Sequence, residues 1–244
     1  MSGLVWETEW RIALRRPRLF ALNVLVPLLL AVPIAVSEAP AGHAAAVYAV
    51  LFVIHATFGS AIPLVRDAET GLVGRALRAG VRPGEYLLER CASGALLDGV
   101  QLLPSLLVAC WGLGSDAAAF AVALASLVLA LWAANLLGVL VAAAARTIAE
   151  AALFAAVSAL LLLHVSGVFR AGAPGSLSAR IEAAAPFRAI HEALLHSAGG
   201  GARPDLTIAL AWAVVLPAIL LLLATRLGPR LAGTPPRDAP GRVM

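Results

Sequence analysis

Six apolar runs, each near the length that crosses a bilayer, divide this chain, and no polar stretch between them is long enough to fold alone. They cover approximately residues 19–37, 45–65, 91–113, 117–143, 148–169 and 206–225. A hydrocarbon core takes roughly 20 helical residues per crossing. Backbone amides find no water there, so each crossing must satisfy its hydrogen bonds internally as a helix. The expected fold class is all-α: a polytopic membrane protein with six transmembrane helices. Composition agrees, with 61% hydrophobic and 13% charged residues in 244, where a soluble domain sits nearer about half and about a quarter.

All 18 basic residues are arginine, and lysine is absent. The phosphate-binding loop GxxxxGK[ST] needs its lysine, so ATP hydrolysis of that type would have to come from another subunit. The chain is expected to be no enzyme of that type, and no catalytic residue, metal or cofactor of its own is assigned. The net charge of +4 does not point to nucleic acid, because the arginines flank the spans, where orientation and anionic lipid account for them. With the N-terminus inside, Arg11, Arg15, Arg16, Arg18, Arg66, Arg75, Arg78, Arg82, Arg90, Arg146, Arg226, Arg230, Arg237 and Arg242 share one side. Arg170, Arg180, Arg188 and Arg203 lie on the other. The positive-inside rule then places both termini in the cytoplasm.

The first span is longer than a signal-peptide core and eighteen residues precede it, so cleavage is not expected. Those residues, MSGLVWETEWRIALRRPR, mix Trp6, Trp10, Arg11 and Arg15 with aliphatics and read as an interfacial helix at the headgroup layer. Between spans 5 and 6, residues 170–205 read as two short helices meeting at Pro186, an outer helical hairpin. The six-span transmembrane unit is taken as residues 1–226, with a disordered Pro/Gly-rich tail over 227–244. Cys91 and Cys110 lie nineteen positions apart on one helix and cannot bond to each other.

Residues 66–90, RDAETGLVGRALRAGVRPGEYLLER, break the pattern with five arginines and four acids. On a helical wheel Leu72, Val73, Ala76 and Leu77 share one side of the stretch 69–79, and Gly71, Gly74, Arg75 and Arg78 the other. Arg82-Pro83-Gly84-Glu85 reads as a tight turn leading back to the membrane. A helix this short needs a surface to hold it.

This order of features resembles the permease subunit of type-2 ATP-binding-cassette (ABC) exporters. The resemblance rests on Asp67, Glu69, Thr70, Gly71, Leu72, Arg75, Leu77, Gly80, Pro83, Glu85, Leu87 and Leu88 between spans 2 and 3, and on the layout of the whole chain. Arg90 stands where the family usually has lysine, and Ala79-Gly80 replaces its common Thr-Pro. The resemblance implies two permease chains paired through spans 1 and 5 in a bacterial inner membrane. It implies separate ATPase subunits that bind ATP and Mg and grip a coupling helix. Glu69, Leu72, Arg75, Leu77 and Arg78 would make that contact. The expected function is export of an unidentified, hydrophobic or amphiphilic substrate; a non-transporting anchor or an intramembrane enzyme are the alternatives.

Ionisable groups inside spans are costly and each is a site candidate. Asp98 and Gln101 lie three residues apart in span 3, with His55 in span 2 and Asn135 in span 4. Asp98 needs a partner, and Arg90 and Asn135 both qualify. Asn23, Gln101 and Asn135 are read as helix–helix hydrogen-bonding groups. His55 and His164 differ in depth, which argues against a haem or metal between them. The GxSG-like CASG at 91–94 places Ser93 at the membrane edge opposite His164, beyond hydrogen-bond reach.

Overall fold

The computed structural model describes residues 4–37 and 39–232. Ten helices follow one another: α1 (Leu4–Arg15), α2 (Pro17–Ala35), α3 (Ala41–Glu69), α4 (Leu72–Arg78), α5 (Pro83–Gly112), α6 (Ala117–Ala144), α7 (Ile148–Val165), α8 (Leu177–Ala183), α9 (Arg188–Ser197) and α10 (Thr207–Ala232). No strand occurs among the described residues. Six of the helices, α2, α3, α5, α6, α7 and α10, are long and apolar enough to cross a membrane.

Helix starts follow local chemistry. Asp116 accepts the Ala119 N–H at 2.7 Å and opens α6. Thr147 accepts the Glu150 N–H at 3.2 Å while the Glu150 carboxylate accepts the Arg146 N–H at 2.7 Å, a reciprocal cap on α7. Pro17 and Pro83 sit in the first turns of α2 and α5, where a missing N–H costs nothing.

Two helices end differently from the hydropathy boundaries. The apolar run of span 2 stops near residue 65, yet α3 continues to Glu69. The run of span 3 begins near residue 91, yet α5 starts at Pro83. Hydropathy marks where a lipid-facing surface ends; the backbone ladder continues as long as side chains find partners. Arg82-Pro83-Gly84-Glu85 is thus a helix start and not a turn. The chain reverses instead at Gly71 and Gly80, whose φ values of 70° and 90° lie in the left-handed region. Gly84 is inside α5, and a Cβ there would meet Leu221 of α10 at 2.8 Å. At the other end of the chain α10 runs to Ala232, past the expected boundary at residue 226. Residues 233–244 of the expected tail lie outside the described residues.

α3 and α6 form the centre, with 50% and 56% of their apolar spans buried, against 11% for α2. Their packing depends on small residues: a Cβ on Gly138 would meet the Thr57 carbonyl oxygen at 2.5 Å and Ser60 Cβ at 2.9 Å. Close backbone approach of this kind replaces the hydrophobic drive that lipid removes. α5, α7 and α10 pack around this pair, and α2 lies chiefly on α5. α8 and α9 are the two short helices expected in 170–205, with Pro186 between them. Phe187, Ile190 and Leu194 seat α9 on the ends of α3 and α6. At the opposite end α1 packs on α5, and α4 on α3 and α10.

Candidate functional site

Three groups of side chains lie along the axis of the molecule. The first surrounds α4. Val73 and Gly74 are buried, and Val73, Ala76 and Leu77 join an apolar cluster with Leu64, Tyr86, Leu220 and Leu227. The wheel placed Gly74 on the polar side; burial against neighbouring helices includes it because α4 is covered on more than one face. Leu77 is an anchor within the molecule. Leu72 is half-buried, and Arg75 and Arg78 are exposed. Arg75 donates to the Thr70 carbonyl at 3.1 Å, closing the α3–α4 corner. Glu69 belongs to the last turn of α3, so the five expected contact residues divide between two helices.

The second group is an ion cluster that the sequence reading missed. Arg90, buried on α5, is ion-paired with Glu9 on α1 and lies 3.9 Å from Asp67 on α3. Arg66 approaches Asp67 at 3.6 Å. Glu9 thereby fixes α1 to the bundle, so α1 has a protein face as well as the Trp6–Trp10 pair, whose rings are 6.2 Å apart. Arg11 pairs with Glu7 along the exposed side of α1, and Arg15 is exposed at its end. The signal available in the sequence was the second acid of α1, Glu9, which has no arginine four residues on as Glu7 has in Arg11.

The third group lies mid-span. Asn135 donates to Asp98 Oδ2 at 2.9 Å and to the Leu131 carbonyl at 3.0 Å, and accepts from the Ser60 hydroxyl. Of the two partners open to Asp98 the structure selects Asn135, while Arg90 is engaged with Glu9. Every polar atom of the Asn135 side chain is satisfied, as its role in helix packing requires. Gly59 and Gly94 make the room: a Cβ on Gly59 would come within 2.9 Å of Asp98 Oδ1, and one on Gly94 within 3.2 Å of Ser60 Oγ. His55 Nε2 stands 3.9 Å from Asp98 Oδ1. His55, Asp98 and Gln101 line one side of a cavity of about 740 Å³ between α2, α3 and α5. Its other walls are mostly aliphatic, with Asn23 from α2 and with Glu9 and Arg66 toward the α4 end. Ser93 is buried with no hydrogen-bond partner for its hydroxyl among the described residues, and His164 stacks near Phe169 at 6.4 Å.

Comparison with protein families gives a match to the ABC-2 type transporter over residues 3–197. The chain belongs to the ABC-2 type transporter family. The match spans α1 through α9, including the α4 corner, the ion cluster and the mid-span node. It makes the chain a multi-pass membrane component of an ABC transporter. No curated protein matches it.

Proposed function

We propose that this ABC-2 chain is the permease subunit of an ATP-driven exporter in a bacterial inner membrane, with both termini cytoplasmic. Two copies pair, and separate ATPase subunits that bind ATP and Mg dock at the α4 end. Arginine distribution supports the orientation. Apolar side chains left exposed on α2 and α7, among them Leu29, Val157 and Leu161, support pairing through those helices. The single observation that carries the reading is how α4 is held. Val73 and Leu77 tie it to α3 and α10, and Gly71 and Gly80 join it directly to two long spans. Leu72, Arg75 and Arg78 remain available on its outer side. A force on α4 therefore acts on α3 and α5 together, two of the three helices whose side chains form the mid-span node, the third being α6 through Asn135.

The test is a gentle detergent pull-down of the tagged chain from its native membrane, comparing wild type with Leu72→Asp. Recovery of an ATPase subunit with the first and its loss from the second supports docking at α4. Absence of an ATPase from both removes the reading and leaves α4 as a surface helix.

A further inference from the structure

The mid-span cavity has an asymmetry of charge that packing alone does not require. Its volume of about 740 Å³ suits a small organic ligand, for which pockets run roughly 300–1,000 Å³. Among its charged lining residues, Glu9 is engaged by Arg90, and Arg66 lies beside Asp67. Asp98 has no arginine within ion-pair distance among the described residues. Its Oδ2 is taken by Asn135, whereas Oδ1 has only His55 Nε2 at 3.9 Å, beyond hydrogen-bond length. Asn135 has a complete set of partners in Ser60 and Leu131 besides Asp98. Helix packing at this level therefore uses one carboxyl oxygen and leaves the other beside the cavity.

We propose that this cavity binds a hydrophobic monocation, with the Asp98 carboxylate as its counter-charge and the aliphatic walls of α2 and α3 covering its apolar body. An unpaired carboxylate in a low-dielectric span is unfavourable, and a cation beside it favours the charged form. A neutral apolar ligand would leave that carboxyl uncompensated, and an anion would be repelled by it. His55 and Gln101, on the same wall, supply polar neighbours that fix orientation. The proposal rests on the export reading for the statement that the bound cation is cargo; binding itself does not depend on it.

The test uses the full chain in lipid nanodiscs and two probes of one shape and opposite charge, tetraphenylphosphonium and tetraphenylborate, with empty nanodiscs as blank. Wild type is expected to bind the phosphonium saturably and at least about tenfold tighter than the borate. Asp98→Asn keeps an amide oxygen for Asn135 and should lose phosphonium affinity at least about tenfold, roughly 1.4 kcal/mol. Leu30→Trp, which fills the cavity from an exposed position on α2, should weaken both probes. Equal affinity for the two probes, or phosphonium binding indifferent to Asp98→Asn, overturns the proposal. Should Asp98→Asn not fold, Leu30→Trp with unchanged phosphonium affinity does the same. ATP-driven efflux in cells expressing the chain with its ATPase separates the two readings. Charge-selective binding without efflux keeps the site and removes the exporter. Efflux of another cargo, with unselective binding, keeps the exporter and removes the site.

Discussion

Glu9 on the N-terminal helix is the ion-pair partner of Arg90, which is buried on α5. The two residues are far apart in sequence, and their pairing holds the amphipathic helix α1 against the bundle. Removing one member leaves the other desolvated, which is the costly way to break a buried pair. Glu9→Gln should therefore destabilise the protein by about 2–4 kcal/mol. Glu7→Gln breaks an exposed i,i+4 pair with Arg11 and should cost at most about 0.5 kcal/mol. Thermal unfolding of both variants in the same detergent gives the comparison, and equal losses would refute the anchoring role.

Glycine spacing at the α3–α6 contact is strict. Gly138→Ala should lower stability by about 1–3 kcal/mol, because its Cβ would press on the Thr57 carbonyl and the Ser60 side chain. Gly99 offers a control on α5, where the nearest atom to a new Cβ is Leu131 Cδ1 at 3.7 Å. Gly99→Ala should be neutral or stabilising by up to about 1 kcal/mol through helix propensity. Denaturation midpoints of the pair decide the matter.

At α4 the outward residues and the anchors should separate by phenotype. The double variant Arg75→Glu/Arg78→Glu alters exposed side chains and should change stability by less than about 0.5 kcal/mol while abolishing co-purification of the ATPase. Leu77→Asp places a charge inside the apolar cluster and should impair folding itself. Retained ATPase binding in the arginine double variant would count against docking on that face.

Pairing through α7 predicts cross-linking. Val157 and Leu161 are exposed one turn apart, whereas Cys91 and Cys110 are buried. A Leu161→Cys chain treated with a bifunctional thiol reagent in the membrane should give a dimer band that a cysteine placed at exposed Trp111 does not. Equal yields from both positions would argue against α7 as the interface.

One pH effect can be assigned outside the spans. Asp205 accepts from the Thr207 N–H at 2.9 Å and from its hydroxyl at 2.6 Å, and these bonds hold its carboxyl below the usual carboxylate range. A depressed folded pKa means the contribution is present above the unfolded value, near about 3.9, and is lost as pH falls through the lower folded value. Amide exchange at the start of α10 should be slower in wild type than in Asp205→Asn at neutral pH, and the two should converge below about pH 4. A constant ratio across that range would contradict the assignment.

Much of the architecture was legible because hydropathy speaks directly to the solvent. Six apolar runs became six long helices, and Pro186 separates the two short ones. The resemblance to type-2 exporters, carried by residues between Asp67 and Leu88, agrees with the family match. Legibility failed where charge persisted inside a helix. The turn placed at Pro83-Gly84 moved to Gly80, and span 3 gained a charged first segment from Pro83 to Arg90. Those charges are tolerated in a helix because Glu9, Asp67 and Arg90 meet, and a one-dimensional reading has no term for partners from three helices.

The sequence alone determined that this chain crosses a membrane, how many times, and that an arginine-rich charged segment lies between spans 2 and 3. Those properties follow from the transfer free energy of single residues, which needs no knowledge of neighbours. Tertiary structure alone decided which polar residues act together. It chose Asn135 over Arg90 for Asp98, committed Arg90 to Glu9, turned Leu77 into an anchor, and left Arg75 and Arg78 facing out. The reason is physical: in a low-dielectric interior the energy of a polar group is set by the one or two atoms beside it, and helix packing supplies those atoms from distant parts of the chain.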